Sequence, residues 1–432
     1  MINKFNAKNT NANLNFDISI EKDKNVYCFI GENGVGKTNL IESMAKSLLY
    51  TSSIFRNRDD INKYSGMFSN KIINDNIKDL SLQLPSDIMI NDNLVKDSKI
   101  DNWNFTQFKN IQNHSINFSF DKPLVFIGAK ERGFTNNIDK NHIKILGNIQ
   151  ERFLEAFTRS FKYMNAEAIE NTEIADWFTS RLVVNPSFIL QSENKSYEAT
   201  IVLELIQDLA PNLQLVTKDN NGTRLKLIFS EGKLLFDGVP IDKLPTGFVS
   251  LIKIFQEILG AYSGWAGLIS ETDIQNLDGV VFIDEIEAHL HPKWQYHIIP
   301  LLKKYFPKTT FYITTHSPLV VSSTDEGEAY ELLKNDNTVT ANKLGNPKEW
   351  YMVDVFSQGF HIDFSEENLE DNSKPSLSDM LKNYSVKVKD YVNNKDEGLK
   401  NEIEELYNKI LPSLGTDDPR RRSLDSLKSL VK

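Results

Sequence analysis

Residues 31–39 read GENGVGKTN and follow directly on the apolar run NVYCFI at 25–30. Gly31, Gly36, Lys37 and Thr38 fit G-x-x-x-x-G-K-[ST], the spacing of a loop whose backbone amides wrap a polyphosphate. Each residue type has a reason. Glycine in this loop lets the backbone turn tightly and approach phosphate with no Cβ in the way. Lys37 offers a cation to the outer phosphates, and Thr38 offers a hydroxyl to Mg²⁺. The following TNLIESMAKSLLY sets Leu40, Ile41, Met44, Leu48 and Leu49 on one side of a helix. That helix aims its unpaired amides and partial positive charge at the loop. A glycine turn before a surface helix would explain the composition, but not strand, loop and helix in this order. Gly31, Asn33, Gly34, Val35, Gly36, Lys37, Thr38 and Asn39 are the candidate nucleotide contacts.

The rest of the composition sets bounds. A chain of 432 residues can bury a large core, and 40% hydrophobic with 25% charged residues is an ordinary globular balance. Cys28 stands alone, which excludes an internal disulfide and fits a reducing compartment. The Asn- and Lys-rich start MINKFNAKNTNANLNF shows no apolar signal segment, and SLIKIFQEILGAYSGWAGLIS carries Lys253 and Glu257, so a buried helix is expected and not a membrane span. These features together imply a cytoplasmic protein. A net charge of −10 argues against a broad grip on nucleic acid, although a local basic face stays open.

A second set of residues lies far down the chain. Val280 to Ile283 in GVVFIDEIEAHLHP form a continuous apolar run, as expected of a parallel strand buried on both faces. Two carboxylates follow at its C-terminal end, where open α/β sheets bind their ligands. Asp284 is placed to share Mg²⁺ with Thr38, and Glu285 to polarise a water that attacks the terminal phosphate. Two acids could simply cap the next helix, which leaves their pairing with the glycine loop unexplained. In TTFYITTHSPLVVSS a further strand ends just before His316, whose imidazole can reach the phosphate or the water from the same edge. A lone histidine is more often structural; the position after a third strand at this edge favours the functional reading. His289, His291 and His297 form no closed ligand set. Finally, LPTGFVSLIKIFQEIL at 244–259 opens a helix on a short polar turn, a second anion site built on Thr246 and Gly247. One nucleotide can use both helix ends if two chains face each other.

These four pieces resemble the ABC-type ATPases of the SMC, RecF and OLD group. GENGVGKTN resembles their Walker A loop, VVFIDEIEAHLHP their Walker B strand with the following D-loop, and TTHSP their switch histidine. LPTGF resembles their signature turn without its second glycine and its glutamine. The resemblance implies a P-loop NTPase of the ABC-ATPase type: an α/β domain with a mixed sheet flanked by helices, ATP and Mg²⁺ as cofactors, and a homodimer or larger assembly around ATP. FIGAKERGF, around Lys130 to Arg132, is a candidate region for the glutamine loop. No long heptad run interrupts the chain, against a true SMC protein. About 115 residues follow His316, too few for an added toprim nuclease.

The expected layout is an ATPase domain over 1–325, an α+β insert over about 51–243, and a helical C-terminal region over 326–432. In the insert, NHSINFSF and PLVFIG read as strands, SYEATIVLELIQDLAPNL as a helix, and LQLVT, TRLKLIF and KLLFDG as a meander. An acidic linker, FSEENLEDNSKP, precedes two apolar stripes: Leu377, Leu381, Tyr384, Val388 and Tyr391, then Leu399, Ile403, Leu406 and Ile410. They could pack on the ATPase or dock a partner. Compact heads with helical tails resemble the ATPase subunits of bacterial anti-phage systems such as Septu, PARIS and the retrons. That resemblance implies slow ATP hydrolysis controlling a separately encoded nuclease or toxin. A RecF-like DNA-repair clamp, and a binding module with negligible turnover, are the alternative functions.

Overall fold

The computed structural model describes residues 1–8, 10, 13–52, 81–96, 102–104, 120, 122–129, 132, 146–164, 174–182, 190, 193–212, 214–219, 222–230, 233–240, 243–269, 273–362, 377–413 and 419–431. Ten strands build one sheet: β1 Lys4–Lys8, β2 Asn15–Ser19, β3 Val26–Ile30, β4 Ser86–Ile90, β5 Asn93–Lys96, β6 Leu124–Ile127, β7 Val280–Ile283, β8 Thr310–Thr314, β9 Ala329–Asn335 and β10 Thr338–Lys343. Their order is β5-β4-β1-β2-β10-β9-β3-β8-β7-β6. β9, β3, β8, β7 and β6 run parallel, and β1, β2, β4 and β5 pair antiparallel.

Residue pattern explains the split. VYCFI of β3 and TFYIT of β8 are buried at every position, as strands covered on both faces must be. β1 and β2 instead alternate, with Phe5, Ala7, Phe16 and Ile18 inward and Lys4, Lys8, Asp17 and Ser19 exposed. Tyr27, Tyr312, Phe282 and Phe126 are direct cross-strand partners. Their rings stack in sequence, with centroids 5.1 Å apart for Tyr27–Tyr312 and for Phe282–Tyr312, and 6.2 Å for Phe126–Phe282. Such pairs each contribute about 0.5–1.5 kcal/mol beyond burial. A one-residue slip would turn this row to the opposite face. The row thus fixes the level at which four parallel strands end.

Helices cover both faces. α1 Lys37–Tyr50 and α2 Ile149–Met164 pack their apolar sides on the face bearing Tyr27, Phe282 and Tyr312. α3 Ile174–Leu182, α4 Ser196–Leu209, α5 Thr246–Ile269 and α6 Pro292–Tyr305 join the core on the face of Cys28, Val281 and Ile313. α4 is the helix expected from SYEATIVLELIQDLAPNL, ending at Leu209 before Pro211. Outside the main sheet, residues 216–219 pair with 222–225, and a meander runs through 227–230, 233–236 and 239–240.

Two expected boundaries move. The compact unit runs Met1–Ile362, not to 325, because β9 pairs with β3 and β10 with β2, deep in the sheet. The stretch 51–243 is not inserted wholesale: β4, β5 and β6 are strands of the main sheet, and PLVFIG contains β6. Of NHSINFSF only Phe120 is described, bridged to Ser52; FSEENLEDNSKP and Lys130 lie outside the described residues.

The second unit, Asp363–Lys432, holds α7 Leu377–Asn394, α8 Glu397–Ile410 and α9 Pro419–Lys428. Tyr384, Val388 and Tyr391 meet Ile403, Ile410 and Leu424 in a core of their own. The two stripes therefore bury each other, a pairing that their period alone could not specify. Among the described residues no helix is long and apolar enough to cross a membrane.

Candidate active site

Four of the parallel strands end at one edge, and each delivers a loop of chemistry. From β3 comes the glycine loop. Gly31, Gly34 and Gly36 take φ of 144°, 82° and 106°, values at which a side chain is strained. A Cβ on Gly31 would also lie 2.8 Å from the Leu332 carbonyl oxygen, whereas one on Gly34 would meet nothing within 4 Å. The loop is thus a bare backbone cradle at the start of α1. Lys37 is 7% exposed and donates from Nζ to the carbonyls of Gly31, at 2.8 Å, and Glu32, at 3.0 Å. Burial lowers its pKa, and the nearby carboxylates of Glu285, Glu287 and Asp284 oppose the shift. A desolvated ammonium beside its loop gains most from an added anion.

β7 delivers the acids. Thr38 Oγ1 donates to both carboxylate oxygens of Asp284, at 2.9 and 3.0 Å, across 246 positions of sequence. Thr314, the last residue of β8, donates from Oγ1 to Asp284 at 2.6 Å and accepts the Glu285 amide at 2.8 Å. Glu285 is half-buried with φ 44°. For a non-glycine residue that conformation costs about 1–3 kcal/mol and persists only where surroundings enforce it. The Asp284 amide bonds the Ile127 carbonyl at 2.9 Å, the Ile286 amide bonds the Thr314 carbonyl at 3.1 Å, and Arg132 donates to the carbonyls of Asp284 and Glu285.

β8 delivers His316, half-buried. Its amide donates to Glu287 Oε1 and the Thr315 hydroxyl to Glu287 Oε2, each at 2.6 Å. Glu287 therefore ties the turn after β7 to the turn after β8. Thr314 and Glu287 went unassigned in the sequence, and Arg132 entered only as part of the candidate region for the glutamine loop. The only signals available were a third acid in DEIE and a basic residue soon after an apolar run. His291 serves as the cap of α6, accepting the Lys293 amide at 3.2 Å.

The turn before α5 departs from expectation. Thr246 is exposed. Gly247 is buried: a Cβ there would lie 2.6 Å from the His289 carbonyl oxygen and 3.2 Å from the Trp294 ring. Its glycine is required by the close approach of its own chain's backbone after β7, so openness to a partner does not explain it.

The residues present fit a nucleotide and its metal. The cradle has no side chain in the way, Lys37 is a desolvated cation, and Thr38 with Asp284 forms a hard oxygen pair of the kind Mg²⁺ takes. Mg²⁺ held there would supply charge neutralisation for the phosphate oxygens.

The family described as "AAA domain, putative AbiEii toxin, Type IV TA system" matches residues 240–322, the stretch with Thr246, Asp284, Glu285 and His316 but not the glycine loop. The chain is 25% identical over 409 residues to the "Retron Ec83 probable ATPase" of Escherichia coli, covering 79% of this chain and 73% of the relative. It is 23% identical over 415 residues to the Septu protein PtuA of Bacillus mycoides (strain KBAB4), covering 92% of this chain and 48% of that protein. The chain thus spans about half the length of that Septu relative. Among solved structures, an Smc head bound to the C-winged helix domain of ScpA is 13% identical with a TM-score of 0.37, covering 80% of this chain and 97% of that one. The sheet order and the loops at its edge make a P-loop nucleotide-binding fold, and in sequence the chain is similar to the "Retron Ec83 probable ATPase" and to the Septu protein PtuA.

Proposed function

We propose that this protein binds and slowly hydrolyses ATP with Mg²⁺, closes as a homodimer or larger assembly around the nucleotide, and so controls a separately encoded effector, a nuclease, in an anti-phage system of the bacterial cytoplasm. The observation that carries the enzymatic part is the convergence of Lys37, Thr38, Asp284, Glu285 and His316, with Thr38 and Asp284 in contact at 2.9 Å. The effector is supported by likeness alone, to the retron ATPase and the Septu protein.

In this reading the glycine-loop amides and Lys37 Nζ hold the phosphates, and phosphate oxygens displace the carbonyls of Gly31 and Glu32 as Lys37 acceptors. Glu285 takes the proton of the attacking water. His316, held through Glu287, hydrogen-bonds the terminal phosphate and responds when it leaves. Thr246 and the α5 amides of a second chain complete the site. The test is phosphate release by wild type and by Glu285→Gln, with size-exclusion chromatography in ATP and in ADP. Glu285→Gln should bind ATP, remain associated, and turn over at least ~100-fold more slowly, the scale for loss of a general base. Equal turnover would show that another group activates the water.

A further inference from the structure

We propose that Arg132, in the loop after β6, is the positioning residue that holds Glu285 in its working conformation. The proposal rests on Glu285 being the base. The Arg132 side chain has no solvent exposure. One guanidinium nitrogen donates to the Asp284 carbonyl at 3.0 Å and the other to the carbonyl of Glu285. Both carbonyls therefore converge on a single planar group. A guanidinium does this through its rigid fork, which an ammonium cannot reproduce.

The two carbonyls belong to the peptides on either side of the turn that carries Glu285 into φ 44°. A residue in that region relaxes unless its neighbours are held. On the amide side the holder is Thr314, which accepts the Glu285 N–H at 2.8 Å. On the carbonyl side the holders are the Ala288 amide, which donates to the Glu285 carbonyl at 2.8 Å, and Arg132, which alone joins that carbonyl to the Asp284 carbonyl. The Asp284 amide is bonded at 2.9 Å to Ile127, the last residue of β6, so the strand that supplies Arg132 already grips the turn from the same flank. Burial lowers the Arg132 pKa, against the pull of Tyr163 and of the three carboxylates of the turn; removing the buried cation would strip the Asp284 carbonyl of its guanidinium donor and leave the Glu285 carbonyl with the Ala288 amide alone, at 2.8 Å. Arg132 acts on the backbone and through it on the carboxylate.

The test uses the full chain with Arg132→Met, close in length but without donors, and Arg132→Lys, which keeps one. Arg132→Met should lower kcat by about 30-fold or more while ATP affinity stays within about 3-fold, the split expected of an interaction felt only in the transition state. In a Glu285→Gln background the same change should cost less than about 2-fold, because coupled residues are not additive. Amide exchange over 284–290 should accelerate about 10-fold while 280–283 stays protected. Arg132→Lys should fall between, and it carries the comparison where Arg132→Met does not fold. Wild-type kcat in Arg132→Met, or unchanged exchange over 284–290, overturns the proposal. If wild type and Glu285→Gln both fail to release phosphate, the hydrolysis reading is at fault, and the exchange experiment still decides the clamp.

Discussion

Thr246 and Gly247 are adjacent, yet the structure assigns them opposite sensitivities, and the contrast tests the shared-site reading. Thr246→Arg adds a large cation at an exposed position, where surface changes shift stability by no more than about 0.5 kcal/mol. The lone chain should keep its melting temperature and its ATP affinity. Nucleotide-dependent association and hydrolysis should both vanish, because the arginine stands where a second chain must approach. Gly247→Ala places a Cβ 2.6 Å from the His289 carbonyl oxygen, with main chain on both sides of the clash. Helix α5 or the turn after β7 must retreat by several tenths of an ångström, at about 1–3 kcal/mol. Gly247→Ala should therefore melt lower even as a monomer without nucleotide. The decisive assay mixes Thr246→Arg with Lys37→Ala. A mixed dimer of the two variants carries both defects in one site and neither in the other, so a 1:1 mixture should regain turnover that neither variant shows alone. No regain, in chains that demonstrably associate, would refute the trans arrangement.

Lys37→Ala should lose ATP affinity with an unchanged far-ultraviolet spectrum, because its Nζ touches only loop carbonyls; wild-type affinity by fluorescent-nucleotide titration would remove the cradle assignment. Asp284→Asn should weaken Mg·ATP binding about 10-fold or more, one charge fewer beside a divalent ion, with a smaller loss in EDTA; equal losses would mean a packing role. His316→Ala should slow phosphate release with ATP affinity within about 3-fold, the pattern of a group felt only in the transition state, and a large affinity loss would contradict the switch role.

The parallel block was legible in the sequence. VYCFI, VVFI and TFYIT are short apolar runs, each followed at once by glycine or polar residues, and the glycine spacing supplies the reason. The neighbours of that block were harder to see. LVFI at 124–127 is as apolar as VVFI, but nothing local says that it lies beside β7, so it read as part of an insert. β9 and β10 extend the sheet through pairings with Val26–Ile30 and Asn15–Asp17 at the other end of the chain, and they move the boundary to 362. Gly247 shows the same limit at one residue: the glycine is visible, but the His289 carbonyl that demands it is not. In the tail, the spacing of Tyr384, Val388 and Tyr391 announced a buried face without naming what covers it.

β3 lies between β8 and β9, and this has a consequence for the order of assembly. Cys28 finds its partners in Ile313 and Ala329, roughly 300 residues further along the chain. Closing so large a loop is entropically slow and is repaid only when the contacts form. GENGVGKTN is made well before β8 and β9, yet the strand that presents it has no native sheet neighbour until those strands are available. Competence to take up nucleotide is thus a property of the finished sheet: a nascent chain halted before residue 309 carries every residue of the cradle and cannot form it. Added ATP should stabilise only chains that extend past β9, and pulse-labelled refolding should show α1 gaining protection no earlier than β8 and β9.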